Sequence, residues 1–307
     1  MRIAQMEDNA LNIPNEWSPL RRVVVGHGRS MGPSPNLASA FDPTSKWHLS
    51  KGTYPNQKAV AEQLDGLAAT LEEHGVEVWR PQDLPDAEQI FARDVGLVID
   101  DVFIRSRTIE ERQHEWEGVA PLLEGITWQE LPGGVQLEGG DTVVLDDAIV
   151  VGITRKDEWK DLQVARTSPS ALPFLASLFP ERDVIGIELA KHDTDPLKCA
   201  LHLDCAYMPL GGGQAIMCPE SFVDIEHLNL LKNKHSEVFE VSVEEAAMLQ
   251  TNLLHIAPDA LLIDPGFTRL AGVLKDAGYH LIPCPLDMVG RMGGLFRCTT
   301  LPLLRRD

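Results

Sequence analysis

Five short stretches carry the residues able to do chemistry: FARD (91–94), LEGGD (137–141), LHLDC (201–205), TNLLH (251–255) and GGLFRC (293–298). Cys298 lies in the last of them, after the glycine pair Gly293 and Gly294 and ahead of the strand-like run TTLPLL. Backbone that can approach closely therefore delivers a thiol at the edge of a strand. Four of the five stretches hold a carboxylate or the thiol. His202 and Asp204 are two residues apart, which on a strand sends both side chains to one face and Leu201 and Leu203 to the other. A thiol, an imidazole and several carboxylates that converge allow two chemistries. One is a metal site, although zinc favours local pairs such as HxxxH or CxxC and the sequence has neither. The other is nucleophilic catalysis, with Cys298 attacking, His202 passing protons and carboxylates in support.

The carboxylates sharpen the second reading. Crowded around a thiol they raise its pKa and oppose the thiolate, which works against an acyl substrate. They suit a substrate that is itself a cation. A guanidinium is planar, carries up to five N–H donors and is matched along its edges by carboxylates, and its charge helps to stabilise the sulfur that attacks its central carbon.

The elements that must position these residues recur along the chain. Two short apolar runs around an acidic or glycine turn predict hairpins at 94–104, 141–152, 204–218 and 253–263. A helix over 59–74 follows from Val60, Leu64, Leu67 and Leu71, with Gly75 as its stop. Short β runs recur as VEVWRP, ITWQELP (126–132), DVIGIEL (183–189), EVFEVS (237–242) and HLIPCPL (280–286), five runs against four internal hairpins. RVVVG (22–26) and TTLPLL (299–304) supply the fifth hairpin by pairing the two ends of the chain. The pattern predicts one domain over 1–307, an α/β fold built as a closed five-bladed propeller of ββαβ repeats. The rival is a doubly wound α/β sheet. No GxGxxG or GxxxxGK[ST] turn follows a strand, and GGG (211–213) lies inside a hairpin, so phosphate cradling has no support. The proline- and glycine-punctuated stretch 41–55 reads as a long loop, either a lid over the axis or a surface connection.

Composition narrows the partners. A net charge of −19, from 46 Asp and Glu against 27 Lys and Arg, argues against nucleic acid or an anionic membrane and favours a cationic small molecule. The five cysteines form no CxxC pair, no run approaches a membrane span, and the amino-terminal stretch lacks a basic flank followed by an apolar core. Reduced thiols in the cytoplasm are the expectation. Cys199, Cys205, Cys218 and Cys284 read as packing, Cys205 on the face opposite Asp204, and His27, His48, His114, His192, His235 and His255 as surface or core histidines. A homo-oligomer is left open.

FARD, EGGD, HLD and the terminal GGxxRCxxLPLxR together resemble the guanidino-group-modifying enzymes of the pentein superfamily, namely arginine deiminases, dimethylarginine dimethylaminohydrolases and amidinotransferases. NEWSPLRRVVVG (15–26) is similar to their usual opening and RSRTIEER (105–112) to a stretch in the amidinotransferases. The resemblance implies the five-bladed propeller, a nucleophile at Cys298, a general acid/base at His202, and guanidinium-binding carboxylates at Asp94 and Asp204. It implies further that Glu138 orients the histidine or binds substrate, and that Asp141 meets the substrate's α-amino end. Arg291 and Arg297 are candidates for a substrate carboxylate or for structural ion pairs. No metal or organic cofactor is implied. The activity implied is hydrolysis of the guanidinium C–N bond of arginine or a small methylarginine to citrulline, with amidino transfer from arginine to a small amine as the alternative. A third reading, a non-catalytic pentein such as the ribosome anti-association factors, conflicts with the full Cys/His set. The chain is shorter than typical arginine deiminases, so substrate contacts from their helical insertion are not carried over.

Overall fold

Each hairpin expected from the sequence forms, and each is joined by a third strand running parallel to its second. The computed structural model describes residues 10–306; residues 1–9, most of the amino-terminal stretch read above for a leader, and Asp307 lie outside the described residues. The described residues build five three-stranded sheets. Gly96–Ile99 and Val102–Arg105 pair with Trp128–Gln129; Thr142–Val144 and Ala148–Ile153 with Asp183–Glu188; Tyr207–Gly211 and Gln214–Met217 with Glu237–Glu240; Leu254–Ala257 and Ala260–Ile263 with His280–Pro283. In the fifth sheet the chain ends meet: Thr300–Arg305 runs antiparallel to Leu20–Val25, with Leu20 opposite Arg305 and Val25 opposite Thr300, and Glu77–Trp79 adds the parallel strand. The central strand is buried in most of the sheets, as its near-continuous apolar runs require.

The helix expected at 59–74 spans Gln57–Glu73. Asn56 caps it by accepting a bond from the Ala59 N–H, and Val60, Leu64, Leu67 and Leu71 lie in the core. Each of those side chains contributes about 1.5–3 kcal/mol of burial. They pack with Leu20, Val23 and Val25 and with apolar residues of the hairpins at 207–217 and 254–263. Among the described residues no helix is long and apolar enough to cross a membrane.

Two local expectations are corrected. Stretch 41–55 is not a plain loop: Pro43–Lys51 is a helix whose first turn is fixed by Asp42, which accepts from the Ser45 N–H at 2.8 Å, with Pro43 at the position where a missing N–H does no harm. Its apolar residues lack a helical stripe, so periodicity misses it. His202 and Asp204 do not share a strand either. Leu203–Cys205 is a 3-10 turn, closed by Cys205 N–H donating to the His202 carbonyl at 3.1 Å, and the strand begins only at Tyr207. The Asp141 carboxylate accepts from the Leu203 N–H at 3.1 Å and holds this turn in place.

Candidate active site

A turn precedes the first strand of every hairpin, and these turns carry the site. Asp94 comes from the helical turn Ala92–Val95, Glu138 from just before the 3-10 turn Gly139–Asp141, and His202 from just before Leu203–Cys205. Asn252 precedes Leu254–Ala257, and Cys298 precedes Thr300–Arg305. A turn lets a residue point along the strand axis, past the end of the sheet, which strand alternation does not.

Asp94, His202 and Cys298 line one cavity, together with Phe41, Asp42, Glu88, Phe91, Arg112, Arg166, Leu201, Met292 and Gly293. The His202 Nε2 is 2.7 Å from Glu138 Oε2, and Nδ1 is 3.8 Å from Asp94 Oδ1. The backbone must come close here: a Cβ on Gly140 would lie 2.7 Å from His202 Nδ1 and 3.1 Å from Asp94 Oδ1. Arg166 Nη1 donates to Glu138 Oε2 at 3.2 Å, and Arg112 Nη1 to Asp94 Oδ2 at 2.7 Å. Arg112 also pairs with Glu115 at 2.7 Å. Asp94 Oδ1 is buried and has no hydrogen-bond donor. Burial alone lowers an imidazole, but Asp94, Asp141 and Glu138 outweigh it and push His202 up to about 10. Burial raises Glu138, yet Arg166 and the bonded histidine hold it well below the ordinary carboxylate range.

The thiol side is built differently. Cys298 Sγ is 3.3 Å from Asn252 Nδ2 and 3.9 Å from both Asp204 oxygens, and the Cys298 N–H donates to Asn252 Oδ1 at 3.2 Å. Burial raises the Asp204 carboxyl in spite of Arg297, His202 and Arg93. The glycine pair ahead of the thiol has the role read from the sequence. A Cβ on Gly294 would lie 2.4 Å from Phe91 Cε1 and 2.7 Å from Cys298 Cβ, and one on Gly293 would lie 2.5 Å from Asp42 Oδ1.

Other expected residues lie elsewhere. Asp141 is buried but is no part of the cavity wall; its carboxylate faces the Leu203 backbone and Gly152. Arg297 lies beneath the site, ion-paired with Glu16 and with Asp204 at 3.5 Å and donating to the Thr142 carbonyl at 3.1 Å. Arg291 lies on the surface, bonded to Asp287 at 3.1 Å and to the Thr53 carbonyl at 3.3 Å. Leu201 lines the cavity whereas Leu203 joins the core, since the turn breaks the alternation that would have paired them. Cys205 is not set apart on an opposite face: its sulfur lies 3.6 Å from Asp204 Oδ1 and within 4.8 Å of Cys298 Sγ.

Sequence reasoning passed over Arg112, Arg166, Asp42, Glu88 and Asn252. For Asn252 a signal existed, because TNLLH occupies the same place before its hairpin as the four stretches that carry acids or the thiol. Arg112 ends RSRTIEER, which was noted without a role; nothing near Arg166, Asp42 or Glu88 in the sequence marks them. Two triads have metal-ligand spacing, Asp94 with Glu138 and His202, and Asp204 with Cys205 and Cys298. Arg112, Arg166 and Arg297 already supply positive charge to their carboxylates, so neither triad presents the uncompensated anionic set that a divalent cation selects.

The arrangement is a buried thiol, an imidazole held by a carboxylate, and an orphan carboxylate oxygen around one cavity. The family model described as "N,N dimethylarginine dimethylhydrolase, eukaryotic" matches residues 35–305. Uncharacterized protein YkgA of Bacillus subtilis (strain 168) is 30% identical over 256 residues, 81% of this chain and 82% of that one. Among solved structures, SxtG, an amidinotransferase from Microseira wollei in the saxitoxin biosynthetic pathway, superposes with a TM-score of 0.75 at 22% identity, covering 97% of this chain and 98% of that chain. The N-terminal domain of ArgZ, an arginine dihydrolase of the ornithine-ammonia cycle in cyanobacteria, gives 0.76 at 21% identity over 92% and 97%. The α/β fold is the one those structures share, and the chain belongs to the N,N dimethylarginine dimethylhydrolase family of guanidino-group-modifying pentein enzymes.

Proposed function

We propose that the chain is a cysteine-dependent hydrolase of the guanidinium C–N bond of arginine or a small methylated arginine, giving citrulline. One observation carries the reading: Asp94 Oδ1 is a buried acceptor without a donor, at the wall of the cavity that Cys298 and His202 also line. Buried acceptors are almost always bonded, so this oxygen is kept for a ligand's N–H. A guanidinium supplies it and presents its carbon to sulfur from one face.

His202 is held as a cation by its three carboxylate neighbours, with Nε2 tied to Glu138. It serves first as an acid. Cys298 sulfur attacks the guanidinium carbon, a C–S bond forms, and His202 gives its proton to the departing nitrogen as the C–N bond breaks. An amidino-thioether remains. Water then loses a proton to the now neutral His202 and adds to the same carbon; the C–S bond breaks, sulfur leaves as thiolate, and the urea of citrulline is released. Asn252 Nδ2, 3.3 Å from the sulfur, stabilises the thiolate at both ends of the cycle. Asp204 takes the second edge of the guanidinium. At the mouth the half-buried Glu88, with Asp42 beside it, suits an ammonium, so the cavity fits an α-amino acid better than a bare guanidine. Neither Arg291 nor Arg297 is needed for it.

The five sheets of one topology support a closed five-bladed propeller spanning a single catalytic domain, and the five free cysteines fit a reducing cytoplasm. Amidino transfer to a small amine is the second reading, supported by the likeness to SxtG over nearly both whole chains. Incubation with arginine or Nω-methylarginines, with and without glycine, followed by mass spectrometry separates the two. Citrulline without acceptor supports hydrolysis; ornithine appearing only with the amine replaces it with transfer.

A further inference from the structure

Cys205 has no part in the chemistry above, yet its thiol is the one placed next to the nucleophile. Its sulfur, the Cys298 sulfur and an Asp204 oxygen all lie within 4.8 Å of one another. A disulfide needs about 2.05 Å between sulfurs and Cβ atoms about 3.5–4.5 Å apart, a closure of the order that side-chain rotation supplies. The two thiols differ in what they face. Cys298 lines the substrate cavity, so a small polar oxidant reaches it first. Cys205 lines a separate cavity that also borders the half-buried Cys199, Lys198 and Ala247. Contact with Cys298, burial and Asp204 together keep Cys205 a protonated thiol. One sulfur is thus set up to be oxidised, the other to resolve it.

We propose that Cys205 and Cys298 form a reversible intramolecular disulfide when a peroxide enters the substrate cavity, a modification site that switches the enzyme off. The Cys298 thiolate attacks a peroxide oxygen, the O–O bond breaks and hydroxide leaves, so sulfur is oxidised to the sulfenic acid and the peroxide is reduced. The Cys205 sulfur then attacks the sulfenic sulfur; the S–O bond breaks, and the oxygen leaves with the Cys205 proton as water. A dithiol reverses the step by exchange and is itself left as a disulfide. The cross-link also diverts Cys298 from sulfinic acid, which dithiols do not reduce. The effect on activity rests on the reading of Cys298 as nucleophile; formation of the bond does not.

The reduced full-length protein is treated with hydrogen peroxide, alkylated with iodoacetamide, and examined by intact mass and non-reducing peptide mapping, with citrulline formation measured before and after dithiothreitol. The expected product is about 2 Da lighter, with the Cys205 peptide joined to the Cys298 peptide, and its activity falls at least about tenfold and returns with dithiothreitol. In Cys205→Ser and Cys205→Ala, each compared with its own untreated sample, the Cys298 peptide instead gains about 32 Da and dithiothreitol restores little. Sulfinic Cys298 without a cross-link in the wild type overturns the proposal. So does a bond from Cys199 to Cys205, or recovery in the variants equal to the wild type. A Cys205–Cys298 bond in protein that keeps full activity confirms the modification site and removes the nucleophile assignment instead.

Discussion

The imidazole side and the thiol side of the cavity hold similar numbers of acids but treat them in opposite ways. On the imidazole side the carboxylates sit on arginines: Arg112 bridges Asp94 and Glu115, and Arg166 and His202 pair with Glu138. Those charges are fixed whether or not a substrate is present. On the thiol side Asp204 shares Arg297 with Glu16, its carboxyl is raised by burial, and the sulfur's nearest donor is the neutral amide of Asn252. Charge there is set to change when a cation arrives. On the hydrolase reading, the proton store is made permanent, while the acid beside the sulfur is left to change its charge with the substrate, so that Asp204 is drawn into its ionised form when a guanidinium arrives.

The largest effect expected from breaking this contrast is on the thiol itself. Cys298→Ser should lower turnover by about ten-thousand-fold or more, since a hydroxyl is a far poorer nucleophile at neutral pH. Wild-type protein quenched with substrate should carry an amidino adduct on the Cys298 peptide, and an unmodified thiol with full activity in the serine variant would remove the assignment. On the other side, Glu138→Gln takes away one of the three anions that keep His202 charged. Turnover should fall by about a hundred- to a thousand-fold. The alkaline limb of the pH–rate profile should also move down, because the wild-type imidazole titrates at about 10 with the carboxylate in place. Stability follows the same sign. His202 binds its proton more tightly folded than unfolded, so its contribution is complete below about 6.5 and fades as pH rises toward about 10. Melting temperature measured over that window should decline in the wild type and decline less in Glu138→Gln. Equal slopes would mean that the imidazole is not held cationic.

What the sequence made legible follows from what periodicity can and cannot carry. The hairpins, the helix at 57–73 and the pairing of the chain ends were readable because burial of alternating or helical apolar faces leaves a regular trace. Asp94, Glu138, His202, Asp204 and Cys298 were readable because they recur at one place in a repeated unit. The turns that carry them were not. Leu203–Cys205 is held by distant partners, the Asp141 carboxylate on the Leu203 N–H and the Thr251 hydroxyl on the Asp204 carbonyl, which no local pattern announces, and the helix Pro43–Lys51 is fixed by a cap and a proline instead of an apolar stripe. Arg112 and Arg166 were passed over for a related reason. A buried arginine is identified by the acid it neutralises: for Arg166 that acid lies 28 residues away, and for Arg112 the neighbouring Glu115 says nothing of the site, whose Asp94 lies 18 residues away.

Two smaller effects separate the nucleophile's environment from the cavity's mouth. Asn252→Ala removes the neutral donor at 3.3 Å from the sulfur and should lower turnover by about ten- to thirtyfold while leaving KM nearly unchanged, as expected for a group that acts on the thiolate and not on bound substrate. Alkylation of Cys298 by iodoacetamide should slow in parallel; a rise in KM alone would move Asn252 from the sulfur to the substrate.

The mouth should respond in the reverse manner. Glu88 is pushed up to about 8 by desolvation that Arg112 only partly offsets, so at neutral pH it is largely protonated until a cation displaces water beside it. An incoming α-ammonium favours the ionised form, which makes binding release a proton between pH 6 and about 8 and become tighter as pH rises. Glu88→Gln should therefore raise KM for arginine by about fivefold at pH 8 and less at pH 6, with turnover almost unaffected. A guanidine without an α-amino group should show no such difference between wild type and variant. If KM for that compound rises equally, Glu88 shapes the cavity and does not read the ammonium, and the division between a fixed proton store and a substrate-dependent remainder would then stop at the thiol.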